Sequence, residues 1–256
     1  MTTNYIETTP GGQTIELRCG RWEDVLADVG ECDAVICDPP YGAKTHEGHN
    51  ASTTGHTGLN GDGANRAALD YDAWGPGDVT RFVDAWTPRC RGWMVGMTSH
   101  DLIPHWISAY ESAGRYAFAP VILIQHRPRL GGDGPGSCAI YVMVSRPGTA
   151  EYAAGGSLPG WYKGAPVRGA GVIGAKPERF VRALVRDYTR PGDLIVDPFA
   201  GSGTTLIAAR SEGRSCIGAE MDPETFDKAV KRLEKPYTES LSQKATGPKP
   251  KNEEMF

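Results

Sequence analysis

The sequence has no stretch of 18 apolar residues, so it holds no candidate for a helix that spans a bilayer. Its N-terminus, Met1-Thr2-Thr3-Asn4, has neither a basic leader nor an apolar segment behind it, and reads as something other than a secretory signal. The six cysteines (Cys19, Cys32, Cys37, Cys90, Cys138 and Cys216) never fall in a Cys-x-x-Cys pair. That argues against a disulfide scaffold and against a zinc site, and for reduced thiols in a cytoplasmic setting. His46, His49 and His56 lie close together but lack cysteine or acidic partners in a tight pattern, so no metal is expected. The net charge of −4 excludes a general nucleic-acid coat and leaves room for a local basic face.

What is present is enough for one substantial core. At 256 residues a chain buries about 70% of its surface on folding. Hydrophobic residues make up 39% and charged residues 23%, a balance that argues against wholesale disorder. Charge is uneven along the chain. Residues 1–42 carry eight acids against Arg18 and Arg21. Residues 160–192 carry Lys163, Arg168, Lys176, Arg179, Arg182, Arg186 and Arg190 against Glu178 and Asp187. This second stretch is read either as a phosphate-facing surface or as a solvated helix face.

Seven short apolar runs suit buried strands: Thr14–Cys19, Ala34–Cys37, Trp93–Met97, Ala117–Gln125, Ser137–Ser145, Leu194–Val196 and Ser215–Gly218. Helical spacing lies between them at Arg81–Trp86, Leu102–Ser112, Glu178–Tyr188, Thr204–Ser211 and Pro223–Leu233. Strands alternating with helices predict an α/β fold with a doubly wound, mostly parallel sheet. Residues 1–235 are read as one domain. Two irregular stretches interrupt it, 42–77 and 146–175, the first read as a mobile loop and the second as a short recognition-like insert. The polar tail 236–256 is expected to fray.

Two turns carry chemistry. In Leu194–Thr205, a strand runs into Asp197-Pro198-Phe199, then Ala200-Gly201-Ser202-Gly203, then a helix opening at Thr204-Thr205. Glycines there allow a sharp turn and close approach of backbone to ligand. The position that a dinucleotide fingerprint fills with a third glycine is Leu206, and no Gly-Lys-Ser/Thr is present. Nicotinamide cofactors and a phosphate-cradling loop are therefore disfavoured. Glu220 ends the next strand, 17 residues after Gly203, where a carboxylate suits two vicinal ribose hydroxyls. An adenosyl group without phosphates is what remains. A plain structural turn is the alternative.

The second turn is Asp38-Pro39-Pro40-Tyr41, directly after the strand Ala34–Cys37. The prolines remove two donors and leave the Pro39 carbonyl able to accept. The Asp38 carboxylate is a second acceptor, and two fixed acceptors suit an amino group with two hydrogens. Tyr41 offers a planar face for a base. An aromatic amine is a poor nucleophile, and accepting both hydrogens helps localise its lone pair. Alone, this tetrapeptide is equally a stiff proline turn.

Taken together, Asp38–Tyr41 and Asp197–Thr205 resemble the DNA amino-methyltransferases that use S-adenosyl-L-methionine. With the catalytic tetrapeptide first and the cofactor loop last, the order is similar to the permuted beta group. The resemblance covers most of residues 14–234. It implies a Rossmann-like, seven-stranded mixed sheet of the class I methyltransferase type. Asp38, Pro39, Pro40 and Tyr41 are then the catalytic residues. Cofactor binding falls to Asp197, Pro198, Phe199, Ala200, Gly201, Ser202, Gly203, Thr204 and Thr205, with Glu220 and Met221. Lys176-Pro177 matches the motif that holds the methionine end. Arg21 stands where relatives often have an acid for the adenine, and Trp22 is the candidate cover. The implied reaction is methyl transfer to N6 of a flipped adenine in double-stranded DNA, in a prokaryotic or phage-infected cell and in a restriction-modification context. Alternatives are N4-cytosine, RNA or a small molecule as acceptor, and a non-catalytic AdoMet-binding regulator of DNA. The short inserts leave little surface for sequence recognition, which a homodimer would enlarge.

Overall fold

The computed structural model describes residues 4–45, 72–129, 137–148, 157–164 and 175–237. Among these residues, ten strands form one sheet: β1 (Asn4–Thr8), β2 (Thr14–Cys19), β3 (Cys32–Cys37), β4 (Cys90–Thr98), β5 (Arg115–Ala117), β6 (Val121–Arg129), β7 (Ser137–Pro147), β8 (Trp161–Lys163), β9 (Leu194–Asp197) and β10 (Ser215–Glu220). The α-helices that cover it include α1 (Trp22–Val25), α2 (Pro76–Trp86), α3 (Ile103–Ser112), α4 (Glu178–Tyr188), α5 (Thr204–Glu212) and α6 (Pro223–Leu233). The strand order is β1-β2-β10-β9-β3-β4-β7-β6-β8, with β5 paired to β7. From β2 to β4 the strands run parallel, and β7 then joins β4 antiparallel. The sheet is mixed and doubly wound, as expected.

The count differs from seven. Every expected run is found in strand, and two short strands, β1 and β8, are added. One expected run, Ala117–Gln125, divides between β5 and β6 around Pro120. β1 and β8 are edge strands, and β5 pairs only at the end of β7.

Central strands are apolar on both faces because both are covered. In β3, Ala34 and Ile36 face a core that includes Phe180, Leu184, Leu206 and Phe226. Val35 and Cys37 face a second core with Phe82, Trp86, Trp106 and Tyr110. So α4, α5 and α6 lie on one face and α2 and α3 on the other. Asp222 caps α6 by accepting from the Thr225 N–H at 2.8 Å. Asp78 accepts from the Gly75 N–H at 2.9 Å where α2 begins with Pro76.

α5 departs from an amphipathic pattern, being buried along its whole length. Its polar residues are answered internally. Glu212 accepts from Arg182 at 2.8 Å and Arg186 at 3.4 Å. Arg210 pairs with Glu7 at 2.9 Å. Arg182 and Arg186 of the basic stretch thus pair with the buried Glu212. Arg168 lies outside the described residues.

The strand sequence moves outward in opposite directions from the β9–β3 junction: β3 leads to β4 on one side, β9 to β10 on the other. Such a switch point opens a crevice at the carboxyl ends of the strands. Asp38, Asp197 and Glu220 all stand at that edge, following β3, ending β9 and ending β10.

Candidate active site

The Asp38–Tyr41 turn is pinned from two sides. The Gly42 N–H donates to Ser99 Oγ at 2.9 Å, and the Trp74 N–H donates to the Tyr41 carbonyl at 3.1 Å. The ends of the 42–77 stretch, 42–45 and 72–77, are thus tied into the fold. Residues 46–71, on which the expectation of mobility rests, lie outside the described residues, as do most of 146–175 and the tail after Tyr237. Pro39 is buried, while Asp38, Pro40 and Tyr41 are half-buried.

Asp38 Oδ2 forms an ion pair with Lys176 Nζ, and that ammonium sits 5.2 Å from the centre of the Tyr41 ring. Asp38 Oδ1 is buried with no hydrogen-bond partner. An acceptor left in this condition is costly unless a ligand meets it.

The glycine turn is built on positive φ at Gly201 (51°) and Gly203 (76°), conformations that L side chains adopt at a cost. Glu220 organises it. Its Oε2 accepts from the Gly201 N–H at 2.9 Å and its Oε1 from the Asp222 N–H at 2.8 Å. Burial raises the Glu220 carboxyl above its ordinary value, against the pull of these backbone donors. Asp197 Oδ1 accepts from the Phe199 N–H at 3.0 Å. Burial pushes the Asp197 carboxyl up to about 7, opposed by the Thr205 hydroxyl and the Phe199 amide and reinforced by the charges of Asp38 and Glu220.

The other expected residues divide. Phe199 and Gly201 are half-buried, and Met221 is 62% exposed beside Glu220. Pro198, Ala200 and Thr205 are buried structural parts of the turn. Ser202 and Thr204 are buried and face Arg232, whose Nη1 donates to Ser202 Oγ at 2.7 Å and Thr204 Oγ1 at 3.3 Å. Arg21 points outward to Glu23 at 3.3 Å. Trp22 packs on Phe82, Trp86 and Phe199, with its ring 6.4 Å from that of Phe199. Pro177 stands immediately before α4. Lys176, expected at the cofactor, is brought to Asp38.

Sequence reasoning missed Trp74, Ser99 and Arg232. Trp74 joins the two turns: bonded to Tyr41, it also packs edge-on against Phe199 at 5.3 Å and stacks on Trp106 at 6.3 Å. Its signal was an aromatic residue just before Gly75-Pro76, the start of a helix. Cavities lined by Thr87, Cys90, Arg91 and Arg115, and by Asn4, Arg18 and Asp28, include no residue of either turn. Among the described residues no group of three or more His, Cys, Asp or Glu is placed to hold a metal ion. No helix among them is long and apolar enough to cross a membrane.

The fold is that of the class I methyltransferases. Solved structures share it: M1.HpyAVI in complex with SAM gives a TM-score of 0.59 at 19% identity, covering 83% of this chain and 94% of that one. The PvuII DNA methyltransferase, cytosine-N4-specific, gives 0.61 at 15% identity, covering 85% of each. Residues 170–231 match the model of the DNA methylase family. Among curated proteins, the DNA adenine methyltransferase YhdJ of Escherichia coli K12 is 39% identical over 59 residues, 23% of this chain and 20% of the relative. Over this segment, residues 170–231, the chain is similar to DNA methylases. The matched segments span about a fifth of the length of the curated relatives.

Proposed function

We propose that this protein is a DNA methyltransferase acting on N6 of adenine, with S-adenosyl-L-methionine as methyl donor. The observation that carries the reading is the placement of the Asp38–Tyr41 turn and the glycine turn at the ends of adjacent strands, β3 and β9. The residues fit the cofactor. The acidic side chains of Asp38, Asp197 and Glu220 converge on the edge, which disfavours a phosphate-rich nucleotide. Gly201 and Gly203 bring main chain close, Glu220 faces ribose hydroxyls, and Phe199, Trp22 and Met221 supply apolar surface to the adenosyl ring. When bound, the cofactor supplies an electrophilic methyl group.

The chain's own residues do the rest. A paired adenine buries its amino group in the duplex, so the base must leave the stack. Tyr41 stacks it. Asp38 Oδ1, buried without a partner, and the Pro39 carbonyl accept the two amino hydrogens. They draw the lone pair toward the methyl group and stabilise the charge that develops on nitrogen. Catalysis is then mostly positioning. Residues 1–235 act as one domain on double-stranded DNA, in the cytoplasm of a prokaryotic or phage-infected cell, as part of restriction-modification. A homodimer would supply further recognition surface. N4-cytosine transfer is the second reading, favoured by the PvuII likeness; aspartate in the first position of the tetrapeptide favours adenine.

The test uses labelled S-adenosylmethionine with separate DNA and RNA pools. Label enters DNA with the wild type and not with Asp38→Ala, while Asp38→Ala binds cofactor no more weakly than the wild type. Label in RNA alone, or an active Asp38→Ala variant, overturns the reading.

A further inference from the structure

Lys176 occupies the seat of the target base on two counts. Its ammonium pairs with Asp38 through Oδ2, beside the Oδ1 that accepts an amino hydrogen, and it lies over the ring on which the base must stack. The side chain is only 10% exposed and Asp38 28%. A buried ammonium is stable beside an anion, so a second carboxylate or phosphate entering the site competes with Asp38 for it. Lys176 is anchored by Pro177 at the start of α4, and its four-carbon stem lets the head move while the backbone stays.

We propose that Lys176 is a shared cation: it holds Asp38 before cofactor binds and passes to the amino-acid carboxylate of S-adenosylmethionine, which releases Asp38 and Tyr41 for the base. This rests on the cofactor reading above. It makes base capture conditional on cofactor, and so discourages flipping by a protein with no methyl group to give. No bond is made or broken; one ion pair is exchanged for another.

Calorimetry with two probes tests it. S-adenosylhomocysteine carries the amino-acid end, and 5′-methylthioadenosine shares the adenosyl thioether without it. Asp38→Asn keeps shape and removes the competing charge, so it tightens S-adenosylhomocysteine about 3- to 10-fold and leaves methylthioadenosine unchanged. Lys176→Gln weakens S-adenosylhomocysteine about 10-fold or more, again sparing methylthioadenosine. In the Lys176→Gln background, Asp38→Asn has no further effect. An Asp38→Asn variant that leaves S-adenosylhomocysteine affinity unchanged, or shifts both probes alike, overturns the exchange. So does tightening toward duplex DNA alone, which would assign the displacing anion to a phosphate. If neither probe binds the wild type, the cofactor reading fails and takes this inference with it.

Discussion

Replacing Glu220 by Gln should both loosen the free protein and weaken cofactor. Each carboxylate oxygen of Glu220 holds one backbone N–H, Gly201 on the glycine turn and Asp222 at the cap of α6. Gln has the same shape but one acceptor and one donor. One of the two N–H groups then faces another donor. A charge-assisted bond of this kind contributes about 1.5–3 kcal/mol. At about 2–4 °C per kcal/mol for a chain of this size, the unliganded melting temperature falls by about 3–12 °C. The ribose hydroxyls lose an acceptor as well, which costs about 10- to 100-fold in affinity. Thermal melts with and without S-adenosylhomocysteine read both effects. The variant starts lower, and its ligand-induced rise shrinks at fixed ligand. A melting temperature within about 1 °C of wild type would refute the structural half. An undiminished ligand-induced rise would refute the functional half.

Three further outcomes follow from the same geometry. Tyr41→Phe keeps most DNA binding and methyl transfer, whereas Tyr41→Ala loses about 1–3 kcal/mol of base binding; equal losses in a DNA titration would give the hydroxyl a role that stacking does not explain. Asp197, pushed up to about 7 by burial from an ordinary 3.8, binds more protons folded than unfolded between those values, so stability falls as pH rises through that window and levels above it. Relative to Asp197→Asn, the wild type therefore loses up to about 1.4 kcal/mol per pH unit there, and parallel urea-unfolding stabilities would contradict this. Gly96→Ala places a Cβ 2.9 Å from the fully buried Trp106 ring. It costs about 1–3 kcal/mol, and an unchanged denaturation midpoint would show that the Trp106–Trp74 stack yields freely.

Much of this was legible because the residues are special. A proline pair after an apolar run, and Gly-Ser-Gly after another, are turns whose chemistry is local. Glu220 was readable by spacing alone. Edge strands were not: β1 alternates exposed and half-buried residues, and β8 is three residues long, so neither writes an apolar run. The burial of α5 was hidden because Glu212 and Arg210 look like surface residues until Arg182, Arg186 and Glu7 are brought to them. Contacts across long separations left no pattern either. Lys176 lies 138 residues from Asp38, and Ser99 lies 57 from Gly42. The family resemblance named Lys176 at the methionine end of the cofactor, and only the packed sheet shows that it lies against Asp38.

The central claim is that Asp38 and Tyr41 present an adenine amino group to a methyl donor held by the glycine turn. Its most direct test is to methylate duplex DNA with isotope-labelled S-adenosylmethionine, digest the product to nucleosides and separate them by mass. The account predicts label in N6-methyldeoxyadenosine, and none after Asp38→Ala. Label in N4-methyldeoxycytidine would contradict the choice of base, and unlabelled nucleosides from a cofactor-binding wild type would contradict catalysis itself.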